Sequence, residues 1–562
     1  MLLPWMLLLA LNASPLNASP LKASIPDHSE FVQALRSLAS RYTGRATLNE
    51  YGRSATGQPL LAISIVPPQQ TAPQREILVV AGLEGNQPAG ALAALALARQ
   101  LLAKPDFIAD VRVTIIPRAN PDGLSFWSRS PLAPIPGNGV PVDEDRDWLL
   151  DEDPPNDLDG DGRILEMRAR DPQGTLIPDP VEPRLLRSAK PEKGERGLYV
   201  KLTEGIDDDA DGRINEDGPG GAGPAMNFPH AFAEYQDSAG RYPLEAPSAR
   251  ALASYLLAHP KIALVVVLSH FDSVTQPLDS GPAPKGFPRK PATKIQTADK
   301  DFLERLAEEF CEALEIKRKK GKAASFPAGD FTGYCYFHLG VAAISHPLWT
   351  TPPGPEEKPD EDSKEPTKES EKKPKLDPSL EEQAKWLAYA DANPDLGGYQ
   401  PWHSVPHPKY GTVEIGGFVP GFREIPPEAD LGRLAAGLAQ FVKRASEMLP
   451  RVRIEQLQDE ARGAGVYRIE AVISNRGELP LVMGQGLTSR HVRNALVTLA
   501  GKVELVTGTL TQRLPTLLPG KSQHFEWWVT GTQGTPVTLR VESVLAGSAE
   551  RRIHLGVRRE EF

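Results

Sequence analysis

The chain is poor in cysteine, in excess positive charge and in long apolar runs, and each shortage excludes something. Only Cys311 and Cys335 occur in 562 residues, too few for a disulfide framework. They read as two free thiols, with one bridge between them as the alternative. A formal net charge of −10 and a pI near 5.7 argue against a nucleic-acid partner. Past the N-terminus no segment is long and apolar enough to span a bilayer.

Proline is abundant instead, at 55 residues, which implies many turns and loops. The length predicts two or three domains. The opening stretch MLLPWMLLLALNAS is too short for a membrane span and fits the apolar region of a secretory signal. Small residues at Ala13–Ser14 and Ala18–Ser19 offer cleavage points, so residues 1–24 are expected to be a signal peptide. A secreted, periplasmic or cell-envelope location follows from that expectation.

Between residues 25 and 450, helical and strand patterns alternate. Phe31–Tyr42, Ser248–Ala258, Asp301–Lys319 and Leu431–Glu447 have helical apolar spacing. Ala62–Val66, Ile77–Ala81, Val111–Pro117, Ile262–Leu268 and Val341–Ser345 read as strands. This alternation predicts an α/β domain, a mixed sheet with helices on both faces. Residues 351–378, rich in acid, lysine and proline, read as a disordered insertion. A helix over Ser379–Ala390 follows it, with Ser379 and Glu382 at capping-box spacing. Beyond residue 450, short alternating segments predict an all-β sandwich over 451–562, of about seven to nine strands.

Residues 143–217 are rich in aspartate and glycine. Asp207, Asp209 and Asp211, followed by Gly212, have the spacing of a calcium loop: oxygens on alternate residues and a glycine for the turn. Asp157, Asp159 and Asp161, followed by Gly162, repeat it. DEDRDWLLDED (Asp143–Asp153) is a third version without the glycine. Neither full copy has a glutamate at the twelfth position, so these are not complete EF-hand loops. So many carboxylates repel one another without a cation, and calcium is the expected cofactor.

Several islands together resemble the zinc carboxypeptidase family. YGRSATGQPLLAISI (Tyr51–Ile65) is similar to its early Gly-x-Ser phrase. AGLEGNQPAG (Ala81–Gly90) is similar to its first metal-ligand turn. NPDG (Asn120–Gly123), MNFPHAF (Met226–Phe232), LSHFDS (Leu268–Ser273), ISHPLW (Ile344–Trp349) and HPKYGTVEIGGF (His407–Phe418) follow in the family's order. The resemblance implies a zinc site of two histidines and a glutamate, a glutamate base, and arginines for the substrate carboxylate.

At those positions this chain differs. Glu84 stands for the first histidine and Gln87 for the glutamate, while His270 matches the third ligand. Met226 stands where the clamping arginine would be, and no arginine falls near Pro136–Asn138. Pro347 stands where the base would be, and it has no acid. Glu84, Gln87 and His270 are therefore candidate but degenerate zinc positions, and no catalytic residue is assigned. The expected function is a secreted, catalytically inactive homologue that binds a peptide or an envelope component. The alternatives are an active metallocarboxypeptidase with atypical zinc ligands and a structural envelope protein.

Overall fold

The computed structural model describes residues 25–67, 75–104, 108, 110–143, 148–215, 217–234, 236, 238–283, 290–319, 321, 323–350 and 375–557. The expected signal segment, residues 1–24, and most of the expected 351–378 insertion lie outside the described residues.

A six-stranded sheet organises the first domain. Its order is Ala46–Arg53, Pro59–Ile65, Val111–Ile116, Arg75–Ala81, Ile262–Leu268 and Ala342–Ser345. The last four run parallel to one another, and the first two are added antiparallel. Every residue of Arg75–Ala81 and Ile262–Leu268 is buried, as strands covered on both faces require. One apolar cluster packs helices His28–Arg41, Pro88–Ala103, Thr297–Leu314 and Glu428–Met448 on one face. A second packs helix Pro247–Ala258 on the other. Each fully buried Val, Ile or Leu in these strands stabilises by roughly 1.5–3 kcal/mol.

The mixed sheet with two covered faces is as expected. A second six-stranded sheet was not expected. The segments Glu166–Arg170, Leu176–Pro178, Leu186–Ser188 and Tyr199–Thr203 join Tyr399–His407 and Gly411–Phe418 in it. The aspartate-rich stretch is therefore folded around a small sheet rather than a chain of loops.

After Pro378 the helix begins at Glu381 behind a 3₁₀ turn, and its cap differs from the expectation. Asp377, not Ser379, accepts the terminal N–H group, because Pro378 takes the first position of the turn. Both cysteines are buried free thiols.

From Val452 on, the described residues form antiparallel β structure with one short helix, Gly484–Ser489. Two four-stranded sheets form there: Val452–Gly463, Val466–Asn475, Ser522–Thr530 and Glu504–Thr507 in one, and Thr511–Leu514, Ala495–Gly501, Pro536–Ser543 and Gly547–His554 in the other. Trp527, Ile469, Val497 and Leu539 meet between them, as in a sandwich. Asp299 ties this unit to the first domain by accepting the N–H groups of Gly484 and Gln485 and the Tyr336 hydroxyl.

Candidate functional site

The order of the central sheet reverses between Arg75–Ala81 and Ile262–Leu268. In α/β sheets, ligands bind outside the carboxyl ends of strands at such a point. Here a cleft of about 660 Å³ opens there. Asn86, Gln87, His270, Asp272 and Pro347 line it from beyond the ends of Arg75–Ala81, Ile262–Leu268 and the edge strand Ala342–Ser345, and Glu166, Thr203 and Phe418 line it from the second sheet. Trp127, Trp349, Lys319 and Arg423 complete its rim.

The first turn is held by local necessity. Gly85 passes so close to the neighbouring loop that a Cβ would lie 2.5 Å from the Ile135 carbonyl oxygen. Its N–H donates to Pro136. This fixes Glu84 behind the turn and leaves Gln87 at the start of helix Pro88–Ala103, where its side chain makes no cap. Two of the motif islands support each other. The Asp122 carboxylate of the NPDG turn accepts the Ser54 hydroxyl at 2.7 Å, the Thr56 hydroxyl at 2.5 Å and the Thr56 N–H at 3.2 Å.

The structure brings Glu84 and His270 together. Glu84 Oε1 accepts from His270 Nδ1, from the Ser269 hydroxyl, and from the His270 N–H at 3.2 Å. Glu84 is buried, while about a third of the His270 side chain is exposed to the cleft. Burial alone would raise the Glu84 carboxyl, but the His270 and Ser269 hydrogen bonds outweigh it and hold it below the usual carboxylate value. For His270, burial works against the charged ring, and the Glu84 hydrogen bond and charge raise it above the ordinary imidazole value. Asp330, fully buried nearby, is pushed up to about 6, chiefly by burial.

This donor set does not fit the two-histidine, one-glutamate zinc site of the resemblance. There is one imidazole, and its Nδ1 is spent on Glu84. Glu84 in turn has one oxygen carrying three donors, and its Oε2 is buried without a partner. Gln87 offers only a neutral amide oxygen, a poor zinc ligand beside imidazole or carboxylate.

Pro347 lines the cleft, as the alignment of motifs placed it. Its neighbour His346 is turned away and fully buried. The Nδ1 of His346 accepts the Leu348 N–H, and burial lowers the ring to about 4. Met226 does not line the cleft and packs against the apolar cluster beneath Phe228.

The aspartates form two groups. Asp207, Asp209 and Asp211 present oxygens within 4.8 Å of one another. Asp207 Oδ1 is buried without a hydrogen-bond donor among the described residues, and Lys409 stands 3.5 Å from Oδ2. In the second group Asp157 and Asp159 meet Glu204, again within 4.8 Å. Asp161 is not brought into it, and its carboxylate accepts the Arg163 N–H instead. Glu204 lies 47 residues from Asp157, too far for any loop-spacing signal to find it. It is fully buried and accepts from Leu158 and Leu165. Asp157 caps the N–H groups of Gly160, Asp161 and Gly162, and Asp159 pairs with His403 at 2.9 Å.

Residues 31–163 match the zinc carboxypeptidase family model. This part of the chain is thus similar to zinc carboxypeptidases. Residues 451–554 match a second family, a domain of unknown function (DUF8731). No curated protein matches the chain by sequence. Among solved structures, bovine thrombin-activatable fibrinolysis inhibitor, bound to tick carboxypeptidase inhibitor, is similar at 11% identity and a TM-score of 0.32. The likeness covers 57% of this chain and 85% of that one. Carboxypeptidase A from Helicoverpa armigera is similar at 14% identity and 0.34, over 66% and 74%. A metallo-carboxypeptidase from Burkholderia cenocepacia gives 12% and 0.29, over 56% and 58%. At such scores these likenesses carry no weight for the site. Among the described residues no helix is long and apolar enough to cross a membrane.

Proposed function

We propose that this chain is a secreted zinc-carboxypeptidase-type protein that binds a peptide or cell-envelope component in its central cleft without cutting it. One observation carries the reading: the Glu84 carboxylate is bonded to His270 where a metal would need both side chains. An internal ion pair takes the place of a metal centre. Pro347 supports the same reading, because a general base contributes roughly 10²–10⁴ in rate and proline supplies none. The cleft keeps what binding requires: amides, charged groups of both signs and the rings of Trp349 and Phe418.

The test is to incubate the purified protein with unblocked peptides and with murein fragments, in the presence of zinc, and to follow both binding and mass. Binding without loss of a C-terminal residue is expected. Turnover abolished by a chelator would replace this reading with an active enzyme using atypical ligands. Retention in the envelope with no ligand for the cleft would favour a structural role.

We also propose calcium at Asp207, Asp209 and Asp211 and at Asp157, Asp159 and Glu204. Hard oxygens clustered in this way suit that ion, and the buried unpartnered Oδ1 of Asp207 is the supporting observation.

A further inference from the structure

Away from the cleft, two adjoining grooves of about 520 and 540 Å³ open where the sandwich meets the first domain. They share Arg490, Val492 and Arg493, and Arg513 enters the second. No aspartate or glutamate lines either groove, in a chain where acidic residues outnumber lysine and arginine by 73 to 63. Elsewhere in the sandwich, Arg468 and Arg540 are paired with Glu526 and Glu550. Arg490, Arg493 and Arg513 form no ion pair among the described residues.

Apolar side chains share the grooves with these cations. Leu257 is 55% exposed, Leu487 41% and Leu496 39%, and all three line the grooves. Leu496 and Arg513 face each other across paired strands. Unpaired guanidinium groups beside exposed leucines suit a surface that is anionic outside and apolar beneath.

We infer that this face docks on an anionic lipid surface, with Arg490, Arg493 and Arg513 on headgroup phosphates and the leucines at the acyl boundary. The guanidinium fork matches phosphate oxygens two at a time. Grooves of this volume can take headgroups, and Leu257, Leu487 and Leu496 are exposed among their lining residues. The chain's overall negative charge does not oppose this, because charges beyond about 8 Å are largely screened at physiological salt. The inference is independent of the central cleft.

The experiment is flotation of the full chain with vesicles of mixed phosphatidylglycerol and phosphatidylcholine, against phosphatidylcholine alone, at low and high salt. Binding should need the anionic lipid and weaken with salt. Each arginine near such a surface contributes about 1 kcal/mol, or about fivefold in affinity, so Arg493→Glu with Arg513→Glu should weaken binding by about twentyfold or more. Leu496→Ser should weaken it without changing the salt slope. Arg196→Glu, outside the grooves, should not affect it, and melting curves of all variants establish that they are folded. Equal binding to phosphatidylcholine alone, or no binding, overturns the inference. Binding of an alternating Glu-Leu peptide through the same arginines, with vesicles ignored, also overturns it and assigns the face to an acidic protein partner.

Discussion

Glu84 and His270 are 186 positions apart in the chain, and Glu84 Oε1 accepts both the Nδ1 and the backbone N–H of His270 behind the cleft wall. Strands Arg75–Ala81 and Ile262–Leu268 are neighbours, so the two turns that follow them must meet. What they bring together is an acid and a base. Glu84 Oε1 is fully engaged while its Oε2 is buried without a partner, and the energetics of the pair can be tested directly.

Removing one partner should be costly. His270→Ala leaves a buried carboxylate held only by Ser269 and one N–H group, and an unsatisfied buried polar group costs about 1–3 kcal/mol. Glu84→Gln keeps an acceptor without the charge and should cost less. Denaturant unfolding of both variants measures the difference, and equal stability to the parent would show that the pair is not formed.

The pair also sets a pH window. Its carboxylate sits below its ordinary value, so its contribution is lost as pH falls through that depressed pKa. Its imidazole sits above its ordinary value, so its contribution is complete below about 6.5 and is lost as pH rises through the elevated pKa. Melting temperature should therefore decline as pH rises above about 6.5 through the elevated imidazole pKa, and His270→Gln should flatten that decline. An unchanged alkaline slope in the variant would contradict the assignment.

Two substitutions should rebuild the metal site in part. Glu84→His with Gln87→Glu frees His270 Nδ1 and supplies a two-histidine, one-carboxylate set. Zinc affinity should rise well above the parent's, measured by competition with a chromophoric chelator. Peptide hydrolysis should stay absent while Pro347 remains. No gain in zinc binding would mean that His270 does not point to a shared centre.

Calcium should stabilise the aspartate-rich segment by about 2.7 kcal/mol at a hundredfold excess over its dissociation constant. Glu204→Gln should blunt the response of one group and Asp209→Ala that of the other. Thermal melts in calcium and in chelator check this, and coincident curves would leave both groups as self-capped acidic turns.

Sequence patterning located most of the first domain. Ile262–Leu268 was bounded correctly because an unbroken run of β-branched and aliphatic residues has few other uses. The second sheet escaped because four of its strands are only three to five residues long and its pairings are distant: Val413 faces Ala169. Glu204 escaped for the same reason, since a ligand group completed from the end of a later strand has no local spacing. Glu84 and His270 were legible as positions, but not as partners. Their bond depends on the parallel register of two strands, which composition does not encode.

The zinc content of the purified chain tests the central claim most directly. With Glu84 committed to His270, elemental analysis after dialysis against buffered zinc should find far less than one zinc per chain, and His270→Gln should not change it. One zinc per chain, lost in His270→Gln, would contradict the account and place a metal where the ion pair is now drawn.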